Sequence, residues 1–204
     1  MVTTGLTTLS IAIDTTSSVL GLGKQLDTNG IEGVIKYTQN TQQFPNKAFT
    51  AAEITELHSC GLKVGHVYEA GNTVDSFGQS QGRAAGILSV QHLTNLQAPK
   101  GTVIYRSVDY DATSDDLHRP IYLDFVAFAS VVRASGFRPG AYGSGKTLAF
   151  LTAAKLIDFR WLAESKGWTD SLYYDDWDIK QQRETTLLGL DVDMNIIRGS
   201  GGLY

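Results

Sequence analysis

The sequence is poor in the groups that staple, metallate or anchor a protein. Its 204 residues include one cysteine, Cys60, so no intrachain disulfide can form and stability must come from a packed core. Neither Cys60 nor the four histidines stand at ligand spacing, so no metal is expected, and no cofactor. His58 and Cys60, two apart near a helix end, cannot face each other as a nucleophile pair. Lys and Arg number 17 against 21 Asp and Glu, a net charge of −4, and the pI is near 5.5. That deficit of positive charge argues against nucleic acid and anionic membranes as partners, because both are held by clustered Lys and Arg that displace counterions. No run reaches the roughly 18 apolar residues of a membrane span, and no basic residue precedes the apolar stretch in Met1–Ser10, so no signal peptide is read there. With 42% hydrophobic and 19% charged residues the chain is not disordered.

What is present is an alternation of short apolar runs and helix-like segments, the pattern of parallel strands covered by helices. The strand candidates are Leu9–Asp14, Gly33–Thr38, Lys63–Glu69, Thr102–Asp109, Arg138–Gly143, Phe159–Ala163, Trp177–Gln182 and Leu190–Asn195. Thr50-Ala-Ala-Glu53 has the form of a capping box and predicts a helix ending near Gly61. Further helices are expected over Ser76–Leu96, Leu117–Ser135 and Leu148–Leu156. Eight strands with intervening helices fit a single α/β domain over 1–204, a compact (β/α)8 TIM-type barrel whose last two connections are too short for full helices. Residues 198–204 read as a frayed tail.

Acids fall at strand ends. Asp14 closes the first strand, Glu69 the third and Asp109 the fourth, while Asp191 and Asp193 lie on the eighth. In a barrel those ends share one face, and if the fourth strand runs on, Asp109 and Asp111 point the same way. Converging carboxylates push one pKa up while their neighbours stay ionised, as glycoside hydrolysis by a general acid and a second carboxylate requires. Any one of these acids could equally cap a helix or pair with Arg83 or Arg106; the three strand-end acids together point to a pocket. Tyr68, Tyr105, Tyr110, Tyr142, Trp161 and Trp177 lie on or beside the same strands, where aromatic faces suit the C–H faces of sugars.

The order of these motifs resembles a known family. Ile13-Asp14-Thr, Val67-Tyr-Glu69, Gln81-Gly82-x-x-Ala85, Val103-Ile-Tyr-x-x-Val108-Asp-Tyr-Asp111, Gly140-x-Tyr-Gly143, Trp161-Leu-Ala163, Gln181-Gln182 and Val192-Asp-Met-Asn195 are similar to the glycoside-hydrolase-like domain of unknown function 1906 (Rv2525c-like). That family is similar in turn to the family 25 lysozymes, barrels that cut peptidoglycan glycan. By position the resemblance implies acid roles for Asp14, Asp109, Asp111 and Asp193; with the strand-end Glu69 the candidate catalytic set is Asp14, Glu69, Asp109 and Asp111, and the candidate substrate contacts are Tyr68, Tyr105, Tyr142, Trp161, Gln182 and Asp193. It departs on strand four, where Asp111 stands in place of the lysozymes' Glu, one methylene shorter. Either Glu69 or Asp111 is then the general acid, with Asp109 stabilising oxocarbenium-like charge or positioning an N-acetyl group.

The implied function is a lysozyme-like hydrolase, monomeric, with a polysaccharide partner, acting at the cell wall after phage-type or secretion-system release. A second reading is a glycan-binding module without activity. A third rests on Gly140-Ala-Tyr-Gly-Ser-Gly-Lys146-Thr147, which satisfies the phosphate-loop pattern, although Ser135-Gly-Phe-Arg-Pro139 before it is no apolar strand.

Overall fold

The computed structural model describes residues 9–163 and 165–204. Most of the segment read for a signal peptide, residues 1–8, lies outside the described residues. Eight strands close a barrel in chain order: β1 (Leu9–Asp14), β2 (Gly33–Tyr37), β3 (Lys63–Tyr68), β4 (Val103–Ser107), β5 (Arg138–Gly143), β6 (Phe159–Ala163), β7 (Ile179–Leu187) and β8 (Leu190–Arg198). Around them lie α1 (Gly23–Thr28), α2 (Ala51–Ser59), α3 (Gln79–Asn95), α4 (Ser114–Asp116), α5 (Tyr122–Ala134) and α6 (Gly145–Ala153), with a π-helical turn over Leu117–Ile121 joining α4 to α5. The expected capping box is in place: Glu53 N–H donates to the Thr50 hydroxyl, and Thr50 N–H donates to the Glu53 carboxylate.

The eight-fold parallel barrel needs one correction. β1 to β7 pair in parallel, but β8 runs antiparallel to both β7 and β1. The cause is local. β7 and β8 are joined by two residues, Leu188 (φ +54°) and Gly189 (φ +80°), and a two-residue turn with both central residues at positive φ makes a hairpin, never a crossover.

Strand alternation sorts side chains into an inner set and an outer set. Inside, Ala12, Ile35, Val67, Tyr105, Trp161, Ile179 and Ile197 form one buried cluster. Outside, residues such as Ile13, Val34 and Val64 meet α1 and α2, while Ile104, Ala141 and Leu162 meet α3, α5 and α6. Two buried ion pairs also lie outside, Lys36–Glu53 at 2.7 Å and Arg106–Asp124 at 3.2 Å. The small residues noted in the third helix region set the α3–α5 approach, since a Cβ on Gly82 would lie 2.0 Å from the Asp124 carbonyl oxygen.

The segment read as a frayed tail is bonded back to the barrel. Tyr204 N–H donates to Val64 O and Val64 N–H to Tyr204 O, while the Tyr105 hydroxyl donates to Gly201 O at 2.7 Å. Leu203 is 6% exposed and sits in the inner cluster at the end of the barrel opposite the strand-end acids. Room for it comes from inward positions without side chains: a Cβ on Gly33 would lie 2.7 Å from Leu203 Cδ2, and one on Gly65 3.0 Å from Cδ1. Leu203→Ala is expected to cost about 2–5 kcal/mol, read as a lower denaturant midpoint at unchanged slope.

Candidate active site

The inner positions one or two steps past the apolar cluster end in polar groups. Asp14 on β1, Tyr37 on β2, Glu69 after β3, Ser107 and Asp109 at the end of β4, Tyr142 on β5, and Gln181 and Asp193 on the closing hairpin line one cleft of about 350 Å³. Glu184, Trp161 and Trp168 complete its walls. Five carboxylates thus share one opening at the C-terminal ends of the parallel strands, where enzymes of this architecture place their chemistry.

Two carboxamides aim at Asp14. Gln181 Nε2 and Asn195 Nδ2 both donate to its Oδ2, at 3.0 and 2.7 Å. Each carboxamide is itself oriented: the Tyr142 hydroxyl donates to Gln181 Oε1 at 2.8 Å, and Trp161 Nε1 donates to Asn195 Oδ1 at 2.8 Å. The donors occupy Oδ2, so a proton on Asp14 is placed on Oδ1. Asp193 pairs in register with Asp14 across β1 and β8 and also accepts from Gln181.

Burial, followed by the charge of Asp193, lifts the Asp14 carboxyl to about 7. Asp193 is raised to about 6 by burial, then by Glu184 and Asp109. Asp109 is raised by burial and by Glu69, against the pull of Lys47 and the Tyr142 hydroxyl. Glu69 has a cation of its own, since Lys47 Nζ forms an ion pair with its Oε2 and lies over the Tyr37 ring at 3.6 Å. The cleft therefore holds a pair, Asp14 and Asp193, that keeps a proton near neutrality, beside a Glu69 side chain tied to Lys47.

A family model for Rv2525c-like, glycoside hydrolase-like domains matches residues 24–196. The chain belongs to this family. Among solved structures, the Tat-secreted protein Rv2525c of Mycobacterium tuberculosis, crystallised with L-tartrate, superposes with a TM-score of 0.82 at 20% identity, covering 94% of this chain and 97% of that one. The catalytic domain of endolysin ply40 from the Listeria monocytogenes bacteriophage P40 gives 0.58 at 14% identity, covering 97% of each chain. The modular autolysin LytC of Streptococcus pneumoniae, in complex with a synthetic peptidoglycan ligand, gives 0.56 at 14% identity, with 96% of this chain covering 47% of that one. At these identities the likeness is one of fold. No curated protein matches by sequence.

Within this Rv2525c-like barrel the expected site residues divide. Asp14, Glu69, Asp109, Tyr142, Trp161, Gln182 and Asp193 line the cleft. Asp111 does not: Thr169 N–H and the Thr169 hydroxyl donate to its two oxygens, both at 2.9 Å, which ties it to the loop after β6. The alternation rule fails there because β4 ends at Ser107. Tyr68 lies outside the barrel with its ring 5.2 Å from the Arg106 guanidinium, and Tyr105 is fully buried with its hydroxyl on Gly201. Tyr110 and Trp177 belong to the outer core.

Tyr37, Glu184 and Trp168 line the cleft without having been singled out, and Gln181 does so although the sequence offered it only within the Gln181-Gln182 motif; for Tyr37 the signal was present, since it stands two residues past Ile35, the inward partner of Asp14. Of the phosphate-loop residues only Tyr142 reaches the cleft, and the stretch spans the end of β5 and the start of α6 with only Ser144 between the two elements. A Cβ on Gly145 would lie 2.4 Å from the Asp170 carbonyl oxygen, and Lys146 Nζ donates to Ala112 O, so no phosphate cradle is formed. Asp111→Ala is expected to loosen the Thr169 loop and lower the melting temperature by a few degrees, with any glycan cleavage kept within about twofold; a melting curve and a turnover assay on the same sample check this.

Proposed function

We propose that this protein is a carboxylate-dependent glycosidase acting on peptidoglycan glycan or a related amino-sugar polymer. The observation that carries the reading is the single cleft in which a carboxyl at about 7, Asp14, faces other acids of different environment among the aromatic walls Tyr37, Tyr142 and Trp161. Family membership and the fold shared with an endolysin catalytic domain and with an autolysin that binds a synthetic peptidoglycan ligand support it.

Asp14, oriented through Oδ2, presents its protonated Oδ1 to the glycosidic oxygen and acts as general acid, with Asp193 beside it as the proton-sharing partner. Asp109, with Glu69 behind it, stabilises the positive charge that develops at the sugar ring or holds an N-acetyl group as internal nucleophile. This assignment moves the acid away from both residues the sequence offered for it, because Glu69 is paired with Lys47 and Asp111 with Thr169.

One observation favours a second reading, a glycan-binding module: the residue standing in place of the lysozymes' acid, Asp111, is turned out of the cleft. Incubation with purified cell walls separates the two. New reducing ends and muropeptides identified by mass spectrometry are expected for the enzyme, and wall binding without either would establish the module.

A further inference from the structure

The loop between β2 and α2 builds a second depression against the cleft. The loop is stapled internally: Thr41 N–H donates to Phe44 O at 3.2 Å, Phe44 N–H to the Thr41 hydroxyl at 3.0 Å, and Lys47 N–H to Phe44 O at 3.3 Å. Asn40 Oδ1 accepts from Ala48 N–H at 2.7 Å, and Tyr37 N–H donates to Lys47 O at 3.3 Å, which fastens the loop to the barrel rim. Phe44 is presented on this frame 37% exposed. It lines a depression of about 750 Å³ with Gln42, Gln43 and Asn72, and the depression meets the central cleft at Glu69.

The chemistry of this depression is specific. Its lysine, Lys47, is already committed to Glu69 and to the Tyr37 ring, so among the described residues an anionic ligand finds no free cation there. A wholly apolar ligand would strip water from the exposed carboxamides of Gln42, Gln43 and Asn72 and return no hydrogen bond. An aromatic face edged by exposed carboxamides suits a ring with an apolar C–H face and a polar rim of hydroxyl or acetamido groups. Because the frame is already hydrogen-bonded, little ordering cost falls on binding.

We propose that this depression is a subsite for one neutral sugar ring of the glycan, next to the unit in the carboxylate cleft, with Phe44 stacked under the ring and Gln42, Gln43 and Asn72 bonding its rim. The proposal rests on the reading of the cleft as a glycan site. Because the two cavities meet at Glu69, the chain runs on past the carboxylates, as an enzyme cutting within a polymer requires.

The test is calorimetric binding of N-acetylglucosamine oligomers, a dimer and a hexamer, to the wild-type protein, Phe44→Ala, Phe44→Tyr and Asp109→Asn. The hexamer is expected to bind the wild type more tightly than the dimer. Phe44→Ala is expected to weaken the hexamer about tenfold and leave the dimer unchanged, with Phe44→Tyr restoring the hexamer and no variant shifting the melting temperature at Phe44. Equal hexamer binding by wild type and Phe44→Ala overturns the subsite, and the cleft reading survives if Asp109→Asn still weakens the hexamer. Equal weakening of dimer and hexamer by Phe44→Ala overturns it too, since the depression would then be the primary site. Binding of neither oligomer to the wild type overturns both readings.

Discussion

Asp14→Asn is expected to give a protein that is more heat-stable at pH 7.5 and has lost glycan cleavage. The stability half follows from linkage. The Asp14 carboxyl stands at 3.8 when unfolded and about 7 when folded, so between those values the native state holds a proton that the unfolded state releases. Stability therefore falls as pH rises through that window, and the deficit is complete above about 7. For an isolated group the displacement corresponds to roughly 4 kcal/mol, and sharing with Asp193 lowers it. Asparagine abolishes the deficit, and its amide oxygen still accepts from Gln181 and Asn195. Melting curves of wild type and variant should diverge above pH 6 and meet near pH 4. Burial, reinforced by His92, holds His66 neutral down to about 3, so it destabilises both proteins in common as pH falls below its ordinary value of 6.5. The activity half follows from the proton on Oδ1: without it the leaving oxygen departs unprotonated, a loss of about 10²–10⁴ in kcat. A variant that keeps its turnover, or that melts lower at pH 7.5, contradicts the role given to Asp14.

Asp109→Asn is expected to lower kcat by at least about 10² through a different limb of the pH profile. Wild-type activity should fall on the alkaline side near pH 7, as Asp14 loses its proton, and on the acid side as Asp109 gains one. The asparagine variant keeps the alkaline limb and loses the acid limb. Glu69→Gln frees Lys47 and leaves an ammonium group facing Asp109 without its counter-charge, so the acid limb should move to lower pH. If Asp109→Asn and Glu69→Gln both turn over at wild-type rate, the carboxylate assignment is wrong.

How much of this was legible varied with the range of the interaction. The capping box at Thr50 and Glu53 is a contact across three residues, and the chain displays it in full. The inward acid Asp14 was legible because strand alternation carries from one residue to the next, whereas Asp109 lies two residues past the end of β4 and reaches the cleft from the loop. Asp111 was misread at the point where that rule stops, since nothing within the tetrapeptide after Ser107 announces that Thr169 will claim its carboxylate. The antiparallel β8 had a local signal, Leu188-Gly189, but reading it required that β7 continue to Leu187 through the exposed polar stretch Arg183–Thr186. The tail looked frayed because its glycines suggest a flexible end. Their value lies in the close approach they allow to Val103 and Ile179, which only the closed barrel reveals.

The pairing of β1 with β8 brings Leu9 against Arg198, and Leu203 then fills the space behind them. Contacts of such sequence separation are costly to close, and here they join residues 9–14 to residues 193–198. Until residues 190–204 dock, β1 and β7 are both open edges, and the inner faces of Gly33 and Gly65 border an unfilled space. Closure of the barrel therefore waits on residues 190–204, and a segment attached at Tyr204 has to leave past the Val64 backbone without drawing Leu203 out of its seat.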